Sequence, residues 1–128
     1  MKDKTILIVD DQALIRKMLN LNLTKRTGCK VIEADNGFVA IDKVMKEKID
    51  LILLDLMMPM MDGFKVLEIL KQNEETKNIP IIIVSAKNSM KDVMKSYDYA
   101  ADEYIKKPYN IVDLIKKCKN LLAEYEKK

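Results

Sequence analysis

The sequence predicts an α/β fold with a doubly wound parallel sheet of five strands and five helices. Short apolar runs alternate with segments of helical periodicity, which is typical of a parallel sheet with right-handed crossovers and helices on both faces. Three of the runs are almost continuously aliphatic, as expected of strands covered on both faces. The length of 128 residues, with 48% hydrophobic and 34% charged residues, suits one folded domain over residues 1–128.

Five short runs are interpreted as strands. The three aliphatic runs are central strands, and two more polar runs are flanking strands, the last of them at an edge of the sheet. In chain order the five are Ile6–Val9, Lys30–Glu33, Leu51–Leu54, Ile81–Val84 and Glu103–Lys106.

The segments after each strand carry residues at the i, i+3, i+4 spacing of amphipathic helices. A capping box is indicated at Ser89 and Asp92, Asn110 is predicted to cap the last helix, and the third helix is predicted to end near Asn73. The sets at helical spacing are Leu14, Ile15, Met18, Leu19 and Asn22; Val39, Ala40, Val44 and Met45, all inward, within 37–46; Val66, Leu67 and Leu70; a weaker set within 89–97; and Ile111, Leu114, Ile115, Cys118, Leu121, Leu122 and Tyr125.

Composition argues against several classes of protein. The net charge of +3, with both signs interspersed, is too small to predict direct nucleic-acid binding. Cys29 and Cys118 have no CxxC spacing and are expected to be reduced, buried thiols of a cytoplasmic protein. No stretch resembles a signal peptide or approaches the ~18 apolar residues of a membrane span. Histidine is absent, so any chemistry runs without an imidazole base, nucleophile or metal ligand.

Polar residues follow four of the predicted strands. A single aspartate after a strand is commonly a turn or capping residue. The carboxyl ends of parallel strands, however, meet at one edge of the sheet, where ligands bind. We therefore expect five side chains to converge there: Asp10, Asp11, Asp55, Ser85 and Lys107.

Three clustered carboxylates need compensation. Two of them ~5 Å apart repel by ~3 kcal/mol at an effective dielectric constant of ~20. Either one acid is protonated, or a cation fills the site, or the two states exchange. Oxygen ligands without histidine suit Mg²⁺ or Mn²⁺. A carboxylate beside such an ion can attack phosphorus and form an aspartyl phosphate, with Lys107 and Ser85 contacting the phosphoryl oxygens.

Four motifs resemble the receiver domain of two-component response regulators. They are ILIVDDQ (6–12), LILLDLMMPMMDGF (51–64), IPIIIVSA (79–86) and ADEYIKKPY (101–109), and the resemblance extends from Lys4 to about Leu122. It implies a flavodoxin-like sheet of order 2-1-3-4-5. It also implies a phosphorylation-dependent switch, as opposed to a turnover enzyme.

The resemblance implies a role for each site residue. Asp55 would accept the phosphoryl group from a sensor histidine kinase or a histidine phosphotransfer protein. Asp10, Asp11, Asp55 and the backbone carbonyl of Met57 would hold Mg²⁺ or Mn²⁺. Lys107 would pair with Asp55 and then with the phosphoryl group, and its peptide bond to Pro108 would be cis.

The resemblance also implies how the signal is read. Ser85 and Tyr104 would be the switch pair, whose hydroxyl and ring move toward the phosphorylated site. A basic face on the fourth helix, fifth strand and fifth helix would bind a downstream protein target. Its lysines would be Lys87, Lys91, Lys95, Lys106 and Lys117.

Two positions depart from the family pattern. Met60 and Ala100 stand where many members have glycine, which leaves the geometry of both loops open. In the family, the position at which Met57 stands controls the water that hydrolyses the acyl phosphate, and we hypothesise that the bulk of Met57 slows this hydrolysis.

Other interpretations stay open. A small Asp-x-Asp phosphatase would need an acid where Met57 stands. A binding module that is never phosphorylated typically lacks an acid or the lysine. The chain could stand alone or be part of a longer regulator, and could be a monomer or a dimer promoted by phosphorylation.

Overall fold

The computed structural model describes residues 1–86 and 90–126, in which five parallel strands form one sheet. The strand order is β2-β1-β3-β4-β5, so the predicted α/β class, the strand number and the order 2-1-3-4-5 are all confirmed. The strands are β1 (Thr5–Val9), β2 (Lys30–Ala34), β3 (Leu51–Leu54), β4 (Ile81–Ser85) and β5 (Glu103–Lys106).

Five helices among the described residues alternate with these strands. They are α1 (Ala13–Thr27), α2 (Gly37–Lys46), α3 (Gly63–Gln72), α4 (Met90–Asp98) and α5 (Ile111–Glu126). The predicted capping residue Ser89 lies outside the described residues.

The sheet separates two hydrophobic cores. Leu7 and Val9 of β1 face a core shared with α2 and α3, whereas Ile6 and Ile8 face a core shared with α1 and α5. All four side chains are at most 1% exposed. Burial of alternate residues on opposite faces explains why the central strands are aliphatic at every position.

The residues predicted at helical spacing are largely buried in α3 and α5 but only partly buried in α1 and α2. In α1 the predicted Leu19 is buried, whereas Leu14 and Met18 are 72% and 54% exposed, and the helix also buries Leu23, which the predicted set lacks. A helix lying on a sheet buries a narrow stripe, and the pattern of α1 is apolar beyond that stripe.

The same error occurs in α2. Ala40 and Val44 are buried, whereas Val39 and Met45 are exposed. In α5 the prediction holds for its central residues, since Leu114, Ile115, Cys118, Leu121 and Leu122 are all buried.

Among the residues that the structure describes, polar side chains cap three helices. The side-chain oxygens of Asn36 and Asp62 each accept a hydrogen bond of 3.0 Å from the backbone N–H three residues on. Asn110 Oδ1 accepts from Val112 N at 2.8 Å, which confirms the predicted cap of α5. These bonds satisfy N–H groups that have no partner within the helix.

Met60 and Ala100 both adopt the left-handed conformation, with φ of 70° and 68°. The two loops therefore keep a backbone geometry that favours glycine, although neither position is occupied by glycine. A side chain in this region costs about 1 kcal/mol or more.

Candidate functional site

Backbone hydrogen bonds align the carboxyl ends of the strands. Asp55 N donates to Val9 O at 3.0 Å, and Asp10 N donates to Ala34 O at 3.2 Å. On the other side of the site, Lys107 N donates to Ser85 O at 2.9 Å. The polar residues at the carboxyl ends of β1, β3, β4 and β5 are thus brought to the same edge of the sheet, as predicted.

Gly63 sets the distance between α3 and this edge. Its N–H donates to Leu56 O at 3.0 Å. A Cβ on Gly63 would lie 2.6 Å from Leu56 Cα and would collide with the carbonyl oxygen of Asp55. Only glycine lets α3 begin against the peptide of Asp55. Sequence reasoning missed this residue, and the available signal was a glycine directly after the capping Asp62.

One ammonium group bridges two buried carboxylates. Lys107 Nζ lies 2.9 Å from Asp10 Oδ2 and 3.3 Å from Asp55 Oδ2. Asp10 and Asp55 are only 3% and 6% exposed, so water screens neither carboxylate well. The backbone N–H of Met57 adds a 3.0 Å hydrogen bond to Asp55 Oδ1.

Asp11 completes a cluster of acids that fits a divalent cation. One carboxylate oxygen from each of Asp10, Asp11 and Asp55 lies within 4.8 Å of the others. Asp11 is exposed while the other two are buried, so the cluster faces solvent on one side. A hard ion that prefers oxygen ligands and keeps several waters is suited to such a site.

Burial and charge act in opposite directions on the pKa values of the site. Burial raises the pKa of Asp55 above 3.8, against the Met57 N–H and the Lys107 charge, which lower it. For Lys107 burial lowers the pKa, but hydrogen bonding to Asp10 and the charge of Asp55 outweigh it and raise the pKa above 10.5. The lysine therefore stays protonated at neutral pH, whereas burial disfavours the ionised form of Asp55.

A cleft of about 350 Å³ opens over these groups, and Met57 stands at its rim with 52% of its surface exposed. The cleft is lined mainly by Asp11, Gln12, Asp55, Met57, Ala86 and Lys107. A larger apolar groove of about 600 Å³ adjoins it along α1 and shares Ala86 and Lys107.

Ser85 and Tyr104 lie next to each other beside the site. Ser85 is completely buried. Burial first, then the negative charge of Asp92, raises the pKa of Tyr104, whereas hydrogen bonding to the Ser85 side chain acts to lower this pKa. The expected cis peptide bond between Lys107 and Pro108 is present.

The lysines of the predicted basic face have different surroundings. Lys91 and Lys106 are exposed. Lys95 Nζ lies 4.3 Å from the centre of the Phe64 ring on α3, a distance suited to a cation–π contact. Lys117 Nζ is 3.2 Å from Glu103 Oε1, and Lys87 lies outside the described residues.

Sequence reasoning also missed Arg16. This residue of α1 donates a 2.7 Å hydrogen bond to the backbone carbonyl of Asp10. No motif indicated the contact, because it depends on how α1 packs beside the end of β1.

No helix in the described part of the chain is both long enough and apolar enough to cross a membrane.

Comparisons with known proteins agree with this geometry. The family model of the response regulator receiver domain matches residues 6–119. The transcriptional regulatory protein ResD of Bacillus subtilis is 40% identical over 117 residues, which are 91% of this chain and 47% of ResD. The chain spans about half the length of the first curated relatives that it matches.

Two solved structures are similar over nearly their whole length. A CheY-like receiver domain protein of Methanospirillum hungatei has a TM-score of 0.89 and 33% identity, with 97% of each chain covered. The Mn²⁺-bound form of response regulator Rcp1 has a TM-score of 0.77 and 29% identity, with 92% of this chain and 91% of Rcp1 covered. Family match, strand order and converging acids agree, and the chain belongs to the response regulator receiver domain family of two-component signalling.

Proposed function

We propose that this receiver domain accepts a phosphoryl group on Asp55 from the phosphohistidine of a sensor histidine kinase or of a histidine phosphotransfer protein. The observation that supports this most is the Lys107 ammonium between the buried carboxylates of Asp10 and Asp55. Such a site holds a nucleophile and a cation in place before a phosphate arrives, and phosphoryl transfer depends mainly on positioning and charge neutralisation.

In the proposed step a carboxylate oxygen of Asp55 forms a bond to phosphorus while the phosphorus–nitrogen bond of the donor breaks. The imidazole leaves with the electron pair of that bond and takes up a proton from solvent water. Lys107 moves from the Asp55 oxygen to an oxygen of the transferred group. The Met57 N–H continues to bind the other oxygen of Asp55 and keeps the carboxylate oriented.

Receiver domains generally bind a divalent metal, and we assign Mg²⁺ or Mn²⁺ here to Asp10, Asp11, Asp55 and the backbone carbonyl of Met57. The closeness of the three carboxylates supports the assignment, as does the Mn²⁺-bound form of the similar Rcp1. When bound, the ion neutralises charge on the phosphoryl oxygens. Asp10 also stays paired with Lys107.

We assign the switch to Ser85 and Tyr104. The Ser85 hydroxyl would move toward a phosphoryl oxygen and the Tyr104 ring would rotate inward, so phosphorylation would change the surface of β5. A two-state element of this kind responds to a local change of charge. The target, a downstream protein, would bind the face carrying Lys87, Lys91, Lys95, Lys106 and Lys117.

The remaining assignments follow from this role. The chain forms one receiver domain over residues 1–128 that catalyses its own phosphorylation and slow dephosphorylation without turning over a substrate. The free, buried Cys29 and Cys118 suit the cytoplasm. A net charge of +3 favours protein partners over nucleic acid or membrane surfaces. Sedimentation before and after phosphorylation decides between a constant monomer and a dimer that phosphorylation promotes.

Intact-mass measurement after incubation with Mg²⁺ and a small acyl phosphate tests the proposal. We expect one phosphoryl adduct that disappears on chelation of Mg²⁺ and in Asp55→Asn. Asp62→Asn is the matched control, because it removes a carboxylate from the same loop and keeps a residue that caps α3.

Two results would contradict the proposal. An adduct that persists in Asp55→Asn would place the acceptor elsewhere. A failure to label the wild-type protein, both with acyl phosphates and with a phosphorylated histidine phosphotransfer domain, would favour a binding module that works without phosphorylation.

A further inference from the structure

Asp10 is held at its backbone as well as at its side chain. Arg16 Nη1 donates a 2.7 Å hydrogen bond to the carbonyl oxygen of Asp10. That carbonyl belongs to the peptide that joins Asp10 to Asp11, so the bond fixes the plane from which both acids project. The Asp10 side chain is separately bound by Gln12 N at 2.9 Å and by Lys107.

Arg16 is itself anchored by an ionised carboxylate on the edge strand. Its Nε lies 3.2 Å from Glu33 Oε1, and the two side chains are 14% and 15% exposed. Burial by itself would raise the pKa of Glu33, but hydrogen bonds from Asn20 and Lys17 and the Lys17 charge bring it below 4.5. The anchor is therefore charged at neutral pH.

The other carboxylate oxygen of Glu33 binds two further residues of α1 and so ties this helix to β2. Asn20 Nδ2 lies 2.8 Å and Lys17 Nζ 3.2 Å from Oε2. Glu33 thus binds three residues of one helix, and of these three only Arg16 also contacts Asp10. A planar guanidinium can bind two partners in fixed directions, which an ammonium cannot.

We propose that Arg16, anchored by Glu33, is a positioning residue that orients the Asp10–Asp11 peptide and thereby sets the affinity of the acid cluster for a divalent cation. This rests on the proposed metal site. Groups that orient metal ligands typically change metal affinity about 10- to 100-fold when they are lost.

The direction in which metal affinity changes distinguishes a positioning role of Arg16 from a purely electrostatic one. Arg16 is a cation next to a site that binds cations, so removing its charge should tighten metal binding if electrostatics alone mattered. Loss of positioning should weaken metal binding instead. Lys17 provides a matched control, because it carries the same charge, contacts the same Glu33 and does not contact Asp10.

The experiment titrates each protein with Mn²⁺ and follows free Mn²⁺ by electron paramagnetic resonance. For Arg16→Gln we expect Kd to rise about tenfold. For Lys17→Gln we expect Kd to change less than about twofold, or to fall as repulsion is relieved. Arg16→Lys should recover part of the affinity, since one ammonium can reach either Asp10 or Glu33.

Urea unfolding of the same variants identifies a purely structural role, which would lower the free energy of unfolding while leaving the Kd of the folded protein unchanged. An unchanged or lower Kd in folded Arg16→Gln overturns the inference. If Arg16→Gln does not fold, Arg16→Lys takes its place in the same comparison. Wild-type protein that binds no Mn²⁺ would overturn the proposed metal site, a result distinguishable from failure of the inference alone.

Discussion

Replacing Lys107 by methionine should destabilise the protein by an amount that depends strongly on pH. The change removes the cation between Asp10 and Asp55 while keeping a side chain of similar length. Carboxylate oxygens of the two acids lie within 4.8 Å, where two charges repel by about 3.5 kcal/mol at an effective dielectric constant of about 20.

Protonation of one acid limits this cost. For a carboxyl with an ordinary pKa of 3.8, taking up a proton costs about 1.36 kcal/mol for each pH unit above the pKa. The limit is about 4.4 kcal/mol at pH 7 and about 1 kcal/mol at pH 4.5. We therefore expect Lys107→Met to lower the free energy of unfolding by about 3.5 kcal/mol at pH 7 and about 1 kcal/mol at pH 4.5.

The lysine itself does not titrate in this range. Its pKa is raised above 10.5 in the folded protein, so its contribution is fully present below pH 10.5 and is lost only as the pH rises through the folded value. The difference between pH 7 and pH 4.5 must come from the acids.

Urea unfolding in the presence of a chelator, at both pH values, measures the effect. The exposed neighbour Lys106 supplies the control, and Lys106→Met should change stability by less than about 0.5 kcal/mol. Saturating Mg²⁺ should reduce the difference in free energy of unfolding between Lys107→Met and wild type, because a cation again compensates the charges of the acids. An equal loss of stability at pH 7 and pH 4.5 would refute the electrostatic argument and indicate lost packing instead.

Four further changes test other parts of the site and its loops. Asp55→Asn should stabilise the metal-free protein at pH 7. Because the pKa of Asp55 is raised in the folded state, the folded protein gains stability as the pH falls through that pKa and is destabilised by the ionised carboxylate at higher pH. Chemical denaturation that shows a loss of stability would contradict this. Gly63→Ala should lower the free energy of unfolding by about 3 kcal/mol, because its Cβ meets backbone atoms of Asp55 and Leu56 that cannot move aside; a near-wild-type urea midpoint would mean that α3 shifts freely. Ala100→Gly should raise the free energy of unfolding by about 0.5 to 1 kcal/mol by relieving a φ of 68°, and a lower melting temperature would show that no strain is present. Met57→Asn should shorten the lifetime of the phosphorylated form, since an amide at the rim of the cleft can orient water; an unchanged decay of the phosphoryl adduct by mass spectrometry would remove Met57 from any role in hydrolysis.

The elements of the fold could be predicted from the sequence because their signals are local. A strand buried on both faces is aliphatic throughout, as Leu51–Leu54 shows, and α5 displays its buried face as a helical repeat. Each predicted strand boundary agrees with the structure to within one residue. The converging polar residues could be predicted for a related reason, since parallel strands with helical crossovers all end at one edge.

The face that each helix buries was less predictable. In α1 the apolar residues Leu14, Met18 and Leu21 are all exposed, although their spacing suits a buried face. Periodicity alone cannot tell which of two apolar stripes the sheet covers, because the choice depends on neighbours that are distant in sequence.

The succession of strands and helices along the chain, the aliphatic cores and the polar residues at the strand ends could all be predicted from local sequence patterns. The contacts that join those polar residues to the rest of the molecule depend on tertiary packing. Arg16 reaches the Asp10 carbonyl, Gly63 lies against the Asp55 peptide, and Lys95 covers Phe64. Each of these contacts joins residues of different elements, and its geometry is set by how helices pack on the sheet, for which the chain carries no local signal.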